Sequence, residues 1–71
     1  MVSLSAVIWK EGGVFIAKCP EVGTISQGKT MDEALKNLRE ATEIYLEEAP
    51  MKEHSRPILT TFEVSGYANP A

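Results

Sequence analysis

The sequence predicts a single α+β domain with the element order β-β-β-α-β. Two N-terminal segments alternate in hydropathy around a pair of glycines, which is typical of an antiparallel hairpin. Residues 31–48 repeat apolar positions at helical spacing, and 58–64 alternate again. A right-handed crossover would place the last strand beside the first, so we expect a four-stranded sheet of order 3-2-1-4 with one helix packed on one face.

The first two predicted strands, 2–9 and 14–19, form the hairpin. A two-residue turn at 11–12 would use glycine for the positive φ of a tight connection. This turn pairs Ile8 with Phe15 and gives one coherent apolar face, whereas a slip of one residue would mix the two faces.

The third strand is predicted at 24–27, and the helix at 31–48. Thr30 and Glu33 form a capping box, in which the Thr30 hydroxyl accepts from the Glu33 N–H and the Glu33 carboxylate reaches the Thr30 N–H. Pro50 ends the helix because it disfavours helical geometry at the residue before it.

One stripe of the helix is predicted to be buried on the sheet, and the charged opposite side is interpreted as a solvated face. The stripe consists of Met31, Ala34, Leu35, Leu38, Ala41, Thr42, Tyr45 and Ala49. Ile44 falls outside it, so we expect Ile44 to cover a loop or contact a neighbouring subunit. Arg39 and Glu43 are spaced for an ion pair across one helical turn, as are Lys36 and Glu40.

The fourth strand is predicted at 58–64, with Ile58, Phe62 and Val64 on one side. Residues 1–64 would then form the domain, and 65–71 a C-terminal tail.

A single helix cannot cover both faces of such a sheet, so the second face is a predicted interface. Val7, Trp9, Val14 and Ile16 make it apolar near the hairpin. Because so short a chain buries a thin core, we expect a homo-oligomer, either a dimer or a larger assembly. Trp9 is either a binding anchor or a half-buried packing residue.

The charge and composition of the sequence limit the classes of binding partner that we expect. The net charge of −3 and the scattered basic residues disfavour direct nucleic-acid binding, and a basic protein partner is electrostatically compatible. No apolar run is long enough to span a bilayer and no leader is evident, so no membrane association is expected. The single cysteine, Cys19, suits a reducing cytoplasm.

The segment from Cys19 to Leu38 carries the most specific pattern: a Pro-Glu turn, a short strand, a glycine and a capped helix. Its marker residues are Pro20, Glu21, Gly28, Thr30, Glu33 and Ala34. With the hairpin glycines and the aromatic-x-Ala of Phe15 and Ala17, this pattern resembles HicB-like antitoxins over about Leu4 to Glu48. We interpret the markers as structural, since each sets backbone geometry or caps the helix.

The resemblance implies a truncated ribonuclease H-like fold and a function in a toxin–antitoxin system. HicB-like proteins bind a small basic HicA-type toxin and mask its RNA-cleaving surface, and many carry a C-terminal DNA-binding module. Only 65–71 follow the last predicted strand here, so we do not expect DNA binding. The alternative is a solitary homo-oligomeric HicB-like domain with a structural or adaptor role and no toxin.

Catalytic chemistry is not expected from this sequence, nor is a cofactor or a metal. A ribonuclease H-type site needs several carboxylates converging on divalent metal, but the first predicted strand has no acid and Glu63 is alone on the last. A cryptic nuclease using Glu63 is the least favoured hypothesis. We interpret His54 as a solvated loop residue and Cys19 as a small buried hydrophobe.

Overall fold

A computed structural model describes residues 3–50 and 58–66, and within them the fold is α+β. The elements are β1 (Val7–Glu11), β2 (Val14–Lys18), β3 (Ile25–Gly28) and α1 (Met31–Glu48). The strands of this described part form an antiparallel sheet of order β1-β2-β3, and α1 packs on one of its faces. The three-strand meander followed by a helix is therefore confirmed.

The β1–β2 turn lies at Gly12-Gly13, so the predicted turn at 11–12 is wrong. Ile8 pairs with Ala17, and not with Phe15 as predicted. Gly12 has φ 59°, a left-handed conformation that glycine adopts without the Cβ penalty of other residues. The pairing differs from the predicted one by two residues, so every side chain of the hairpin stays on its expected face.

β1 begins at Val7, five residues later than predicted, because the partner segment turns away. The Cys19 N–H donates to the Thr24 oxygen at 2.9 Å, and the Gly23 N–H donates to the Cys19 oxygen at 2.7 Å. Pro20 has no N–H to continue a ladder. The Ser5 N–H is bound instead by the Glu21 carboxylate, as described below.

The core is built from small residues where the helix meets the sheet. Ala17, Cys19, Ala34 and Leu38 are buried there, and the half-buried residues packed on them are Leu4, Ala6, Ile8, Phe15 and Val22. At Gly28 a Cβ would lie only 2.5 Å from the Ala34 nitrogen. The backbones of β3 and α1 therefore approach so closely that only glycine fits between them.

The helix bounds are confirmed, as is the Thr30 cap. The Glu33 N–H donates to the Thr30 hydroxyl at 3.0 Å. The return bond differs from the prediction: the Glu33 carboxylate accepts from the Lys29 N–H at 2.7 Å, and not from the Thr30 N–H. The carboxylate thus reaches one residue further back, onto the chain leaving β3. At the other end Ala49 has φ −135° and ψ 72°, outside the helical region, as expected before Pro50.

The buried stripe of α1 is narrower than predicted. Ala34, Leu38 and Thr42 are buried, but Leu35 and Tyr45 are each close to half exposed. Met31 and Ala49 are exposed too. Among the strands, α1 packs mainly on β3 and β2. The Arg39–Glu43 ion pair forms at 3.5 Å on the solvated side.

Residues 58–66 are exposed, and they belong to no strand. The fourth strand at 58–64 and the order 3-2-1-4 are therefore not shown. Ile58, Phe62 and Val64 have exposed fractions of 89%, 85% and 69%. A strand exists only when a neighbouring strand accepts its backbone hydrogen bonds, and no described backbone bond joins 58–66 to the sheet. His54 and residues 67–71 of the predicted tail lie outside the described residues.

Candidate interaction surfaces

The four predicted sheet residues lie together on the face turned away from α1. Ala17 is buried under the helix, and successive strand residues alternate between faces, so Ile16 and Val14 lie on the other side of β2. Val7 and Trp9 on β1 share that side. Val7 is 43% exposed and Trp9 36%, whereas Val14 and Ile16 are half-buried.

Trp9 lies directly opposite Ile16 in the ladder, a pairing of an aromatic with a β-branched side chain. Its Nε1–H donates to Glu11 Oε1 at 3.0 Å. The polar atom of the indole is therefore satisfied within the strand, and the exposed remainder of the ring is apolar. Such a ring can bury its surface against a partner without leaving a donor unpaired.

Ile25 belongs to the same surface, although it was not predicted. It pairs with Lys18 at the start of β3, and it is 56% exposed. Alternation within 24–27 separates Ile25 from Ser26, but only the register with β2 shows which of the two shares a face with Trp9. We call Val7, Trp9, Val14, Ile16 and Ile25 the open-face patch.

Ile44 is not part of this patch. It is 64% exposed on α1, and α1 covers the opposite face of the sheet. The structure therefore separates Ile44 from the four sheet residues with which it was grouped as a candidate interface.

A groove runs between α1 and the segment that leads into β1. Its volume is about 460 Å³, and its apolar walls are Leu4, Ala6, Cys19, Leu35, Leu38 and Leu46. Arg39, Thr42 and Glu43 add a polar side on the helix. Within the described sheet β1 is an edge strand that no described strand pairs. The groove, which we call the β1–α1 groove, lies beside residues 4–6 that lead into this strand, and no residue of β1 itself lines it.

Glu21 holds one wall of this groove in place. Its Oε1 accepts from the Ser5 N–H at 3.0 Å and from the Cys19 thiol at 3.4 Å, while Oε2 is buried and unpaired among the described groups. Burial is the largest single effect and opposes ionisation. The hydrogen bonds from Ser5, from the Glu21 N–H and from Cys19 together outweigh it and lower the pKa of Glu21 to about 2. An ionised Glu21 therefore ties the segment before β1 to the β2–β3 turn.

The remaining marker residues lie at two junctions. Gly28, Thr30, Glu33 and Ala34 meet where β3 passes into α1, in the close approach and the cap already described. Pro20 is exposed in the β2–β3 turn. The structural interpretation of these marker residues stays a prediction.

Cys19 is buried, as expected, with 2% exposure. Burial raises the pKa of its thiol, and the nearby Glu21 carboxylate acts in the same direction. A thiol in this state is a poor nucleophile.

Residues 3–50 and 58–66 contain no group of three or more His, Cys, Asp or Glu side chains placed to share a metal ion. Glu63 is exposed. Among the same residues, no helix combines the length and apolarity needed to cross a bilayer.

Comparison with known proteins shows similarity over part of the chain. A UPF0150 protein of Helicobacter pylori strain J99 is 46% identical over 44 residues. The matched region covers 61% of this chain and 61% of that protein. No protein family profile matches the chain, and no solved structure matches it significantly.

Proposed function

We propose that this chain is an antitoxin-like binding domain whose open-face patch covers a small basic mRNA-interfering toxin of the HicA type. The observation that carries the proposal is the patch itself. Its large apolar side chains, Trp9 among them, lie on the sheet face that α1 leaves free. An apolar cluster of this kind on a soluble domain is typical of a protein interface.

Trp9 is the natural centre of such an interface. Tryptophan is enriched among the few residues that dominate binding energy, and its bond to Glu11 leaves no indole donor to desolvate. Val7 and Ile16 flank it on the same face. A toxin that seals this patch would exclude water from the indole.

Charge and similarity support the same partner. The net charge of −3 would steer a basic toxin toward the domain and speed encounter more than it adds affinity. UPF0150 is a HicB-like family, so the partial match to the Helicobacter pylori protein is compatible with the resemblance of the sequence to HicB-like antitoxins. The domain would act in the cytoplasm by binding alone, without catalysis or a cofactor.

The test is co-expression with the small reading frame adjacent to this gene, followed by purification through a tag on one protein. We expect a basic toxin to co-elute and its RNA cleavage to be suppressed in the complex. Trp9→Ala should weaken binding by about 30-fold, as for a hot-spot residue that contributes about 2 kcal/mol.

Ile44→Ala is the matched control, because Ile44 is a large exposed apolar residue on the other layer. It should leave binding unchanged. The proposal fails if no basic protein co-elutes, or if Trp9→Ala and Ile44→Ala have the same effect.

The second candidate is a solitary homo-oligomer with a structural or adaptor role. The exposed apolar side chains of both the open-face patch and 58–64 favour it, since a second copy could bury either surface. Trp9 is the only tryptophan, so its fluorescence reports on the patch alone. A concentration-dependent blue shift, unaffected by the toxin, would favour this candidate over the first.

A further inference from the structure

We propose that residues 58–64 of one copy of this chain lie along the free edge of β1 in a second copy, with Ile58, Phe62 and Val64 in its β1–α1 groove. The exchange is reciprocal and gives a symmetric dimer. This inference goes beyond the proposed function, since it requires no toxin and uses a different surface from the open-face patch.

The surface to which residues 58–64 would add is the edge of β1 together with the β1–α1 groove. An edge strand presents a row of unpaired N–H and C=O groups, which is the template to which a further strand adds. The groove lies between α1 and residues 4–6, the segment that leads into β1. Its walls at Leu4, Leu35 and Leu46 are apolar, so an added strand would bury apolar side chains there while its backbone pairs with β1.

Residues 58–64 have the alternation of side chains that a strand added beside β1 requires. Side chains of a strand alternate between faces, so Ile58, Phe62 and Val64 fall on one side, with Thr60 between them. Leu59, Thr61 and Glu63 fall on the other side. The apolar side would face α1 in the groove, and the more polar side would continue the open face.

We place residues 58–64 in a second copy of the chain because they do not fill the β1–α1 groove of their own chain. Every residue of 58–66 is exposed in the single chain, and the groove of the same chain remains open at about 460 Å³. A chain of 71 residues has a thin core and gains most from burying such a segment. Reciprocal exchange fills both grooves and pairs both β1 edges at once.

The first test is the mass of the full chain in solution by light scattering. We expect twice the chain mass of 7.8 kDa. Phe62→Glu should reduce it to the mass of one chain, because a carboxylate would enter the apolar groove. Phe62 is 85% exposed in the single chain, so the variant should keep the helical circular dichroism signal of α1 and lose only the contribution of the added strand.

Thr61→Glu is the matched control, since it places the same charge one residue away on the opposite side of the strand. It should remain dimeric. A single-chain mass for the wild type, or a dimer that survives Phe62→Glu, would overturn the inference.

The second test locates the strand. In a dimer mixed from carbon-13-labelled and unlabelled chains, isotope-filtered spectra should show contacts between the Phe62 ring of one chain and the Leu4 and Leu46 methyl groups of the other. Contacts only within one chain would refute exchange. A dimer lost in Trp9→Ala but kept in Phe62→Glu would assign assembly to the open-face patch and also refute it. Failure to capture a toxin would count against the proposed function alone.

Discussion

Gly28→Ala should be among the most damaging single-methyl changes in this domain. An added Cβ would lie 2.5 Å from the Ala34 nitrogen, 2.8 Å from the Glu33 carbonyl carbon and 2.9 Å from the Glu33 Cβ. Two of these atoms are backbone at the start of α1, so they cannot rotate away. Relief requires moving the helix away from β3.

The cost follows from what that movement disturbs. Overpacking a tight site costs about 1–3 kcal/mol, and the upper end applies where backbone must shift. The movement also strains the bond from Asn37 Nδ2 to the Gln27 oxygen, now 2.9 Å. We therefore expect a loss of about 3 kcal/mol, a large share of the roughly 4–10 kcal/mol available to a domain of this size. The melting temperature should fall by about 12–24 °C.

Thermal and urea unfolding followed by circular dichroism measure this loss. The matched control is Gly13→Ala, where a Cβ meets nothing within 4 Å and the backbone is not left-handed. That variant should stay within about 1 kcal/mol of the wild type. If Gly28→Ala destabilises by no more than Gly13→Ala, the β3–α1 approach is not as close as described and the reasoning fails.

Three further predictions concern charge and the thiol. The depressed pKa of Glu21, about 2 against 4.5, means that its ionised form stabilises the fold above pH 4.5 and that this contribution is lost as the pH falls toward 2. Glu21→Gln should lower the unfolding free energy by about 1 kcal/mol at pH 7 and flatten its pH dependence in that window, as urea titrations would show. Glu48→Lys should raise stability by about 0.3–1 kcal/mol at low salt, because the last turn of α1 has no basic residue facing the negative end of its dipole; added salt should remove the gain. Cys19 should react with a thiol reagent only as fast as the domain unfolds, and a wild-type rate matching that of a small free thiol would contradict its burial.

The features that could be predicted from the sequence are those determined by local chemistry. The helix bounds follow from the Thr30 cap at one end and Pro50 at the other, and both signals act on neighbouring backbone. The faces of the hairpin follow from alternation alone. They survived an error of two residues in the pairing because the period of a strand is two.

Register and neighbour contacts could not be predicted in this way. The sequence offers two adjacent turns, at 11–12 and 12–13, and both place glycine at a turn position. The structure selects the second, with the left-handed residue first. That choice brings Trp9 opposite Ile16. Ile25 was missed because its face depends on the β2–β3 register, which alternation within 24–27 does not determine.

The last element shows why alternation alone does not make a strand. Residues 58–64 have the same period-two pattern as the hairpin, yet they form no strand in the single chain. Residues 7–11 have a partner two residues away across a turn, so closing that ladder costs little loop entropy. Residues 58–64 must instead find an edge far along the chain, and no described backbone bond joins them to β1 of their own chain. Alternation therefore predicts only which side of 58–64 a partner strand would bury, and in the dimer that we propose this partner is β1 of the second copy.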